Sequence, residues 1–192
     1  MTPLILASSS PFRKELLARL NLEFECISPE IDESRHENEA PDQYVQRLAK
    51  EKAAKIGSDH PDCLVIGSDQ CAVNSGEVLG KPKDHDHAVR QLQNASGQTV
   101  EFITAVSIIH PNSQWCREWI DILCVDFREL STEEIERYLA IEQPYNCAGS
   151  FKSEKLGISL CRAMRGDDPT ALIGLPLIKL AEHLREFGLQ IP

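Results

Sequence analysis

Apolar residues fall along this chain in two patterns, short continuous blocks and stripes at helical spacing. Leu4 to Ala7 is a continuous block and predicts a buried strand. Ser8-Ser9-Ser10-Pro11 follows, with Ser10 suited to an N-cap and Pro11 to a first helical position. Phe12, Leu16, Leu17 and Leu20 then recur at helical spacing. A second stripe, Tyr44, Val45, Leu48, Ala49 and Ile56, predicts a helix from about Pro41 to Ile56. Cys63 to Gly67 is the next strand, with Ser68-Asp69-Gln70 at its end.

Asn74-Ser75-Gly76-Glu77 reads as a hairpin turn before Val78-Leu79, and Gly80-Lys81-Pro82 breaks the chain. Asp84 to Asn94 is a predicted helix. Thr99 to Ile109 and Trp115 to Phe127 are long strands that pair across His110-Pro111-Asn112-Ser113. Ser131-Thr132-Glu133-Glu134 is a capping box opening a helix that stops before Pro144. Cys147 to Phe151 and Gly157 to Cys161 read as strands. Pro176 to Phe187 reads as a closing helix with Gly188 as its stop. Strand–helix alternation combined with a hairpin predicts an α/β fold built on a mixed sheet with flanking helices.

Composition narrows the function. At 192 residues the chain is one domain or two small lobes. Lys plus Arg is 20 and Asp plus Glu is 30, a formal charge of −10, which argues against nucleic-acid binding but not against a small anion in a locally basic site. No apolar stretch approaches the ~20 residues of a membrane span. At the amino terminus Arg13 and Lys14 follow the apolar run, the wrong order for a signal peptide. The seven cysteines include no Cys-x-x-Cys pair and read as reduced core thiols of a cytoplasmic protein.

Four features carry candidate chemistry. Ser8, Ser9 and Ser10 meet free N–H groups at a helix start, with Arg13 one turn in, an arrangement that suits phosphate; plain capping is the alternative. At about 100° per residue, Lys52 falls about 80° from Tyr44, between Leu48 at about 40° and Ile56 at about 120°. A lysine inside an apolar stripe either snorkels outward or faces an acidic or anionic partner. Asp69 after a buried strand suits a general base or a metal ligand, against a turn-forming role. Lys81 between Gly80 and Pro82 is a phosphate ligand or an exposed turn. Arg13, Lys52 and Lys81, with Asp69 and either Asp32 or Glu33, suit a polyphosphate and a divalent metal. Walker, dinucleotide-binding and His-Glu-x-x-His patterns are absent. His85-Asp86-His87 sits on a predicted helix with its histidines on different faces and reads as solvated surface.

Seven pieces in order complete a pattern: Leu4 to Arg13, Asp32-Glu33, Glu51-Lys52-Ala53, Gly67-Ser68-Asp69-Gln70, Gly80-Lys81-Pro82, Phe127-Arg128-Glu129-Leu130-Ser131 and Ile173-Gly174-Leu175-Pro176. Over essentially its whole length, as a single catalytic domain of residues 1–192, the chain resembles the Maf family of nucleoside-triphosphate pyrophosphatases. The resemblance implies an α/β fold of the Maf and inosine-triphosphatase kind, a mixed twisted sheet in two lobes around a central cleft. It implies hydrolysis between the α and β phosphates with magnesium or manganese. Asp69 matches the general base, Glu33 and Asp69 the metal ligands, and Ser8, Arg13, Lys52 and Lys81 the substrate-binding positions. The resemblance leaves a homodimer open.

Gln70 stands where the dTTP/UTP branch carries threonine, and Ala148 to Glu154 resembles the 7-methyl-GTP branch, whose substrate choice is associated with the positions of Phe12, Gln70 and Glu154. The chemistry is sensible, because N7-methylguanine is cationic: Phe12 can stack on it and Glu154 can offset its charge. That branch often has tryptophan in place of Phe12, and phenylalanine is the weaker cation–π partner. The alternatives are a dTTP/UTP-type pyrophosphatase and a nucleotide-binding regulator of septation without catalysis.

Overall fold

The computed structural model describes residues 2–192. In chain order the elements are β1 (Leu4–Ala7), α1 (Pro11–Ala18), β2 (Glu25–Cys26), α2 (Pro41–Asp59), β3 (Leu64–Asn74) and β4 (Glu77–Leu79). They continue as α3 (His85–Ala95), β5 (Thr99–His110), β6 (Trp115–Phe127), α4 (Thr132–Glu142), β7 (Cys161–Arg165) and α5 (Leu177–Phe187). The strands form a mixed sheet of seven, ordered β2-β1-β3-β5-β6-β7, with β4 off this path beside β3. β1 is parallel to both β2 and β3, while β3–β4 and β6–β7 are antiparallel. The chain divides into two compact units: residues 1–69, 104–121 and 168–192, and residues 70–103 with 122–167.

In the first unit β1 is buried on both faces, which is why it reads as an unbroken apolar run. Leu4 and Leu6 pack with Leu16 and Leu17 of α1 and Leu180 and Leu184 of α5. Ile5 and Ala7 pack with Ala53 and Ile56 of α2 and Val65 of β3. The approach of α2 to β3 depends on Gly67, since a Cβ there would stand 2.2 Å from the Ala49 carbonyl oxygen and 2.7 Å from the Ala53 nitrogen. Both atoms are main chain and cannot step aside.

The second unit is centred on Phe102, Phe127 and Phe151, with ring centroids 5.8 Å apart for Phe102–Phe151 and 5.1 Å for Phe127–Phe151. Buried Tyr138 of α4 accepts the Lys152 N–H on its hydroxyl. The Ser131 capping box forms as expected, with Glu134 N–H donating to Ser131 and Glu134 accepting from the Ser131 N–H.

Three expectations are corrected. The strand expected to end before Ser68 continues to Asn74, so Asp69 lies within β3. Its polar side chains are compatible with a buried strand because each finds a partner: Ser68 on Gly174, Asp69 on Lys52, Asn74 on the Asn94 carbonyl. The expected strand 147–151 is instead a 3-10 turn, Ala148–Ser150, because Gly149 and Ser150 take φ of +64° and +56° and cannot extend. The expected strand 157–161 is a 3-10 helix, Leu156–Leu160, and extension begins only at Cys161. All seven cysteines are free, as expected, but only Cys71 is buried; Cys116 is exposed and the rest are half-buried.

Candidate active site

Lys52 is only 4 % exposed, in the middle of the buried stripe of α2. Its ammonium does not snorkel out. Nζ lies 2.6 Å from Asp69 Oδ1 and 2.6 Å from Glu33 Oε1. Asp69 is itself buried, on β3 opposite α2, whereas half of the Glu33 side chain is exposed. Burying one ammonium is costly, and attraction to two carboxylates offsets that cost. The structure separates Asp32 from Glu33 by their partners. Asp32 turns back to accept the Ser34 N–H, while Glu33 reaches Lys52.

Glu33 sits on an irregular segment, 27–40, and side chains of α2 hold it there. The Tyr44 hydroxyl donates to the Glu33 carbonyl at 2.9 Å. Arg47 grips Glu39 twice, through Nε at 2.7 Å and Nη2 at 2.9 Å, and donates to the Ser34 carbonyl at 3.0 Å. The Arg47 guanidinium holds the Glu39 carboxyl well down, at about 2. Arg47, Glu39 and Tyr44 were not among the residues predicted for the site. Tyr44 counts toward the apolar stripe, Arg47 on the polar side of the helix reads as solvated surface, and nothing in the sequence says which loop they meet.

The serine turn is built as the sequence predicts. Ser10 caps α1 by accepting the Arg13 N–H, and Pro11 is the first helical residue. Ser8 is buried and accepts the Ser10 N–H at 3.1 Å. Phe12 and Arg13, in the first turn of α1, are both half-buried. Burial lowers the Arg13 guanidinium below its ordinary pKa, and attraction to Asp69 and then Glu33 raises it again. Arg13 therefore belongs to the same electrostatic group as Lys52, Asp69 and Glu33. Its Nε donates to the Gly174 carbonyl at 2.9 Å, a partner the sequence did not indicate.

In the second unit Lys81 and Glu154 are exposed and Gln70 is half-buried. Lys81 and Glu154 share one neighbourhood, that of Cys147. Burial raises the Cys147 thiol, Lys152 lowers it, Glu154 raises it and Lys81 lowers it. The carbonyl of Gly80, preceding Lys81, accepts from Gln91 Nε2 at 3.0 Å, and the Ser150 hydroxyl donates to Gln91 Oε1. His85 reaches Tyr145 and Glu136, and His87 reaches Asp84. Among the described residues no group of three or more His, Cys, Asp or Glu side chains is placed to hold a metal. No helix among them is long and apolar enough to cross a membrane.

A protein of Alcanivorax borkumensis named 7-methyl-GTP pyrophosphatase is 53% identical over 189 residues, covering 98% of this chain and 96% of its own. A protein of the same name from Pseudomonas syringae pv. tomato is 50% identical over 192 residues, the full length of both. Among solved structures, a HAM1 protein from Coxiella burnetii superposes with a TM-score of 0.53 at 11% identity, covering 97% of this chain and 100% of that one, a likeness of fold alone. The family described as Maf-like protein matches residues 3–187, from before β1 to the end of α5, and the chain belongs to that Maf family.

Proposed function

We propose that this chain hydrolyses nucleoside triphosphates between the α and β phosphates, with 7-methyl-GTP as substrate and 7-methyl-GMP and pyrophosphate as products. The observation that carries the reading is the buried Lys52 ammonium bridging Asp69 and Glu33, beside Arg13, in a member of the Maf family. Relatives named 7-methyl-GTP pyrophosphatase support the choice of base.

In this reading Asp69 takes the proton of the attacking water. Lys52 occupies Oδ1, which fixes the carboxylate and leaves Oδ2 as the basic atom. Lys52 and Arg13 supply positive charge to the phosphates, joined by Lys81, and the Ser8 hydroxyl at the α1 start completes the anion site. Phe12, Gln70 and Glu154 choose the base. Glu33 and Asp69, brought side by side on Lys52, are hard carboxylate donors of the kind magnesium or manganese takes, and would hold such an ion. Such an ion, when bound, supplies further neutralisation of phosphate charge. Free cysteines suit a reducing cytoplasm, and a charge of −10 suits a small nucleotide better than a nucleic acid.

The test is a pyrophosphate-release assay with magnesium or manganese over 7-methyl-GTP, GTP, dTTP and UTP. The highest kcat/KM is expected for 7-methyl-GTP. Preference for dTTP or UTP would move the chain to the other branch. Release from none of them would leave a nucleotide-binding regulator.

A further inference from the structure

Ile173-Gly174-Leu175-Pro176 belongs to the sequence pattern of the family, yet the reaction above gives it no chemistry. We propose that the main-chain carbonyl of Gly174 is a positioning group that orients Arg13 toward the phosphates, and that Ser68 holds this carbonyl in place. The inference rests on Arg13 being a phosphate ligand.

Two donors converge on that one oxygen, Arg13 Nε at 2.9 Å and Ser68 Oγ at 2.9 Å. Ser68 is fully buried and directly precedes Asp69 on β3. One carbonyl therefore ties the cationic arm from α1 to the strand that carries the proposed base. Anchoring Nε fixes the plane of the guanidinium and leaves both Nη groups for an anion.

The segment presenting the carbonyl is heavily constrained. Buried Asp168 accepts the N–H of Thr170 at 2.8 Å on Oδ1 and that of Ile178 at 2.7 Å on Oδ2. The Thr170 hydroxyl accepts the Leu177 N–H at 2.9 Å. The Ala171 carbonyl accepts from the Thr104 hydroxyl at 2.9 Å and from the Gly174 N–H at 2.9 Å. Gly174 then takes φ +116°, a conformation that favours glycine, and a Cβ there would stand 3.2 Å from Arg13 Nε. The backbone angle thus calls for glycine, and a methyl group there would press on Arg13.

The proposal is tested by double-mutant cycles. Gly174→Ala and Ser68→Ala are made alone and in an Arg13→Met background, with folding checked by circular dichroism and thermal melting. kcat/KM for 7-methyl-GTP is measured, along with inhibition by inorganic tripolyphosphate, which has the phosphates without the base. Each single substitution is expected to lower kcat/KM, about tenfold for Gly174→Ala, mostly through KM, and to weaken tripolyphosphate inhibition. In the Arg13→Met background both effects should shrink to within about twofold. Equal losses in both backgrounds, or no loss in the single variants, would overturn the proposal. If Gly174→Ala does not fold, the Ser68→Ala cycle decides alone. An Arg13→Met protein of full activity would instead overturn the phosphate role of Arg13, a separate failure.

Discussion

Lys52 shows how far a single residue can be read from sequence. Its place in the apolar stripe of α2 already said that its charge needs an explanation. The structure supplies two carboxylates, one from a strand and one from an irregular segment, neither of which the helical wheel identifies. A methionine at this position suits the stripe, but it leaves Asp69 and Glu33 facing each other without a cation. Lys52→Met is therefore expected to lose stability, on the order of 3 kcal/mol, together with substrate turnover. Urea unfolding and kinetics on the same protein check both, and a variant as stable and active as wild type would remove Lys52 from the account.

Glu154 makes a different test, because the methylated and unmethylated nucleotides share a triphosphate and differ by about one positive charge on the base. Glu154→Gln keeps the shape and removes the charge. It should lower kcat/KM for 7-methyl-GTP more than for GTP, by about tenfold for each 1.4 kcal/mol of lost attraction. An equal fall for both would assign Glu154 to the phosphates or metal instead.

Among the elements, α2 carries the most of the site. It contributes Lys52 directly, and Arg47 and Tyr44 hold the segment that delivers Glu33. Its distance from β3 is set by Gly67. Gly67→Ala forces a methyl group against the Ala49 carbonyl and should destabilise by at least about 1–3 kcal/mol, seen as a lower thermal midpoint.

The Arg47–Glu39 pair makes a pH prediction with a definite sign. Glu39 titrates at about 2 when folded and near its ordinary 4.5 when unfolded. Its stabilising contribution is therefore full above about 4.5 and is lost as the pH falls toward 2. Thermal midpoints of wild type and Glu39→Gln should differ at pH 6 and converge near pH 2. Hydrogen exchange in 27–40 should be faster in the variant at pH 6.

Element boundaries were legible where caps are local, as at Ser10, Ser131 and Gly188. They are not legible where tertiary partners decide. β3 continues through Ser68 and Asp69 because distant groups satisfy their side chains, and 147–151 turns instead of extending because Gly149 and Ser150 take positive φ.

Across the whole chain, the order of chemical residues was visible in the sequence, and so was the mixed α/β class. The strand order was not, because pairing of β1 with β3 joins residues sixty positions apart, Leu4 with Leu64, with nothing local to announce it. The same long-range closure brings Ser68 and Arg13 to Gly174, which is why the last stretch of the family pattern had no legible role. The central claim is that this assembly cuts the α–β bond with Asp69 as base. Phosphorus NMR of 7-methyl-GTP turnover by wild type and Asp69→Asn tests it most directly. The account predicts 7-methyl-GMP and pyrophosphate in equal amounts from the wild type. It predicts a rate lower by about 10²–10⁴ for Asp69→Asn. Orthophosphate as the first product, or an Asp69→Asn rate within threefold of wild type, would contradict it.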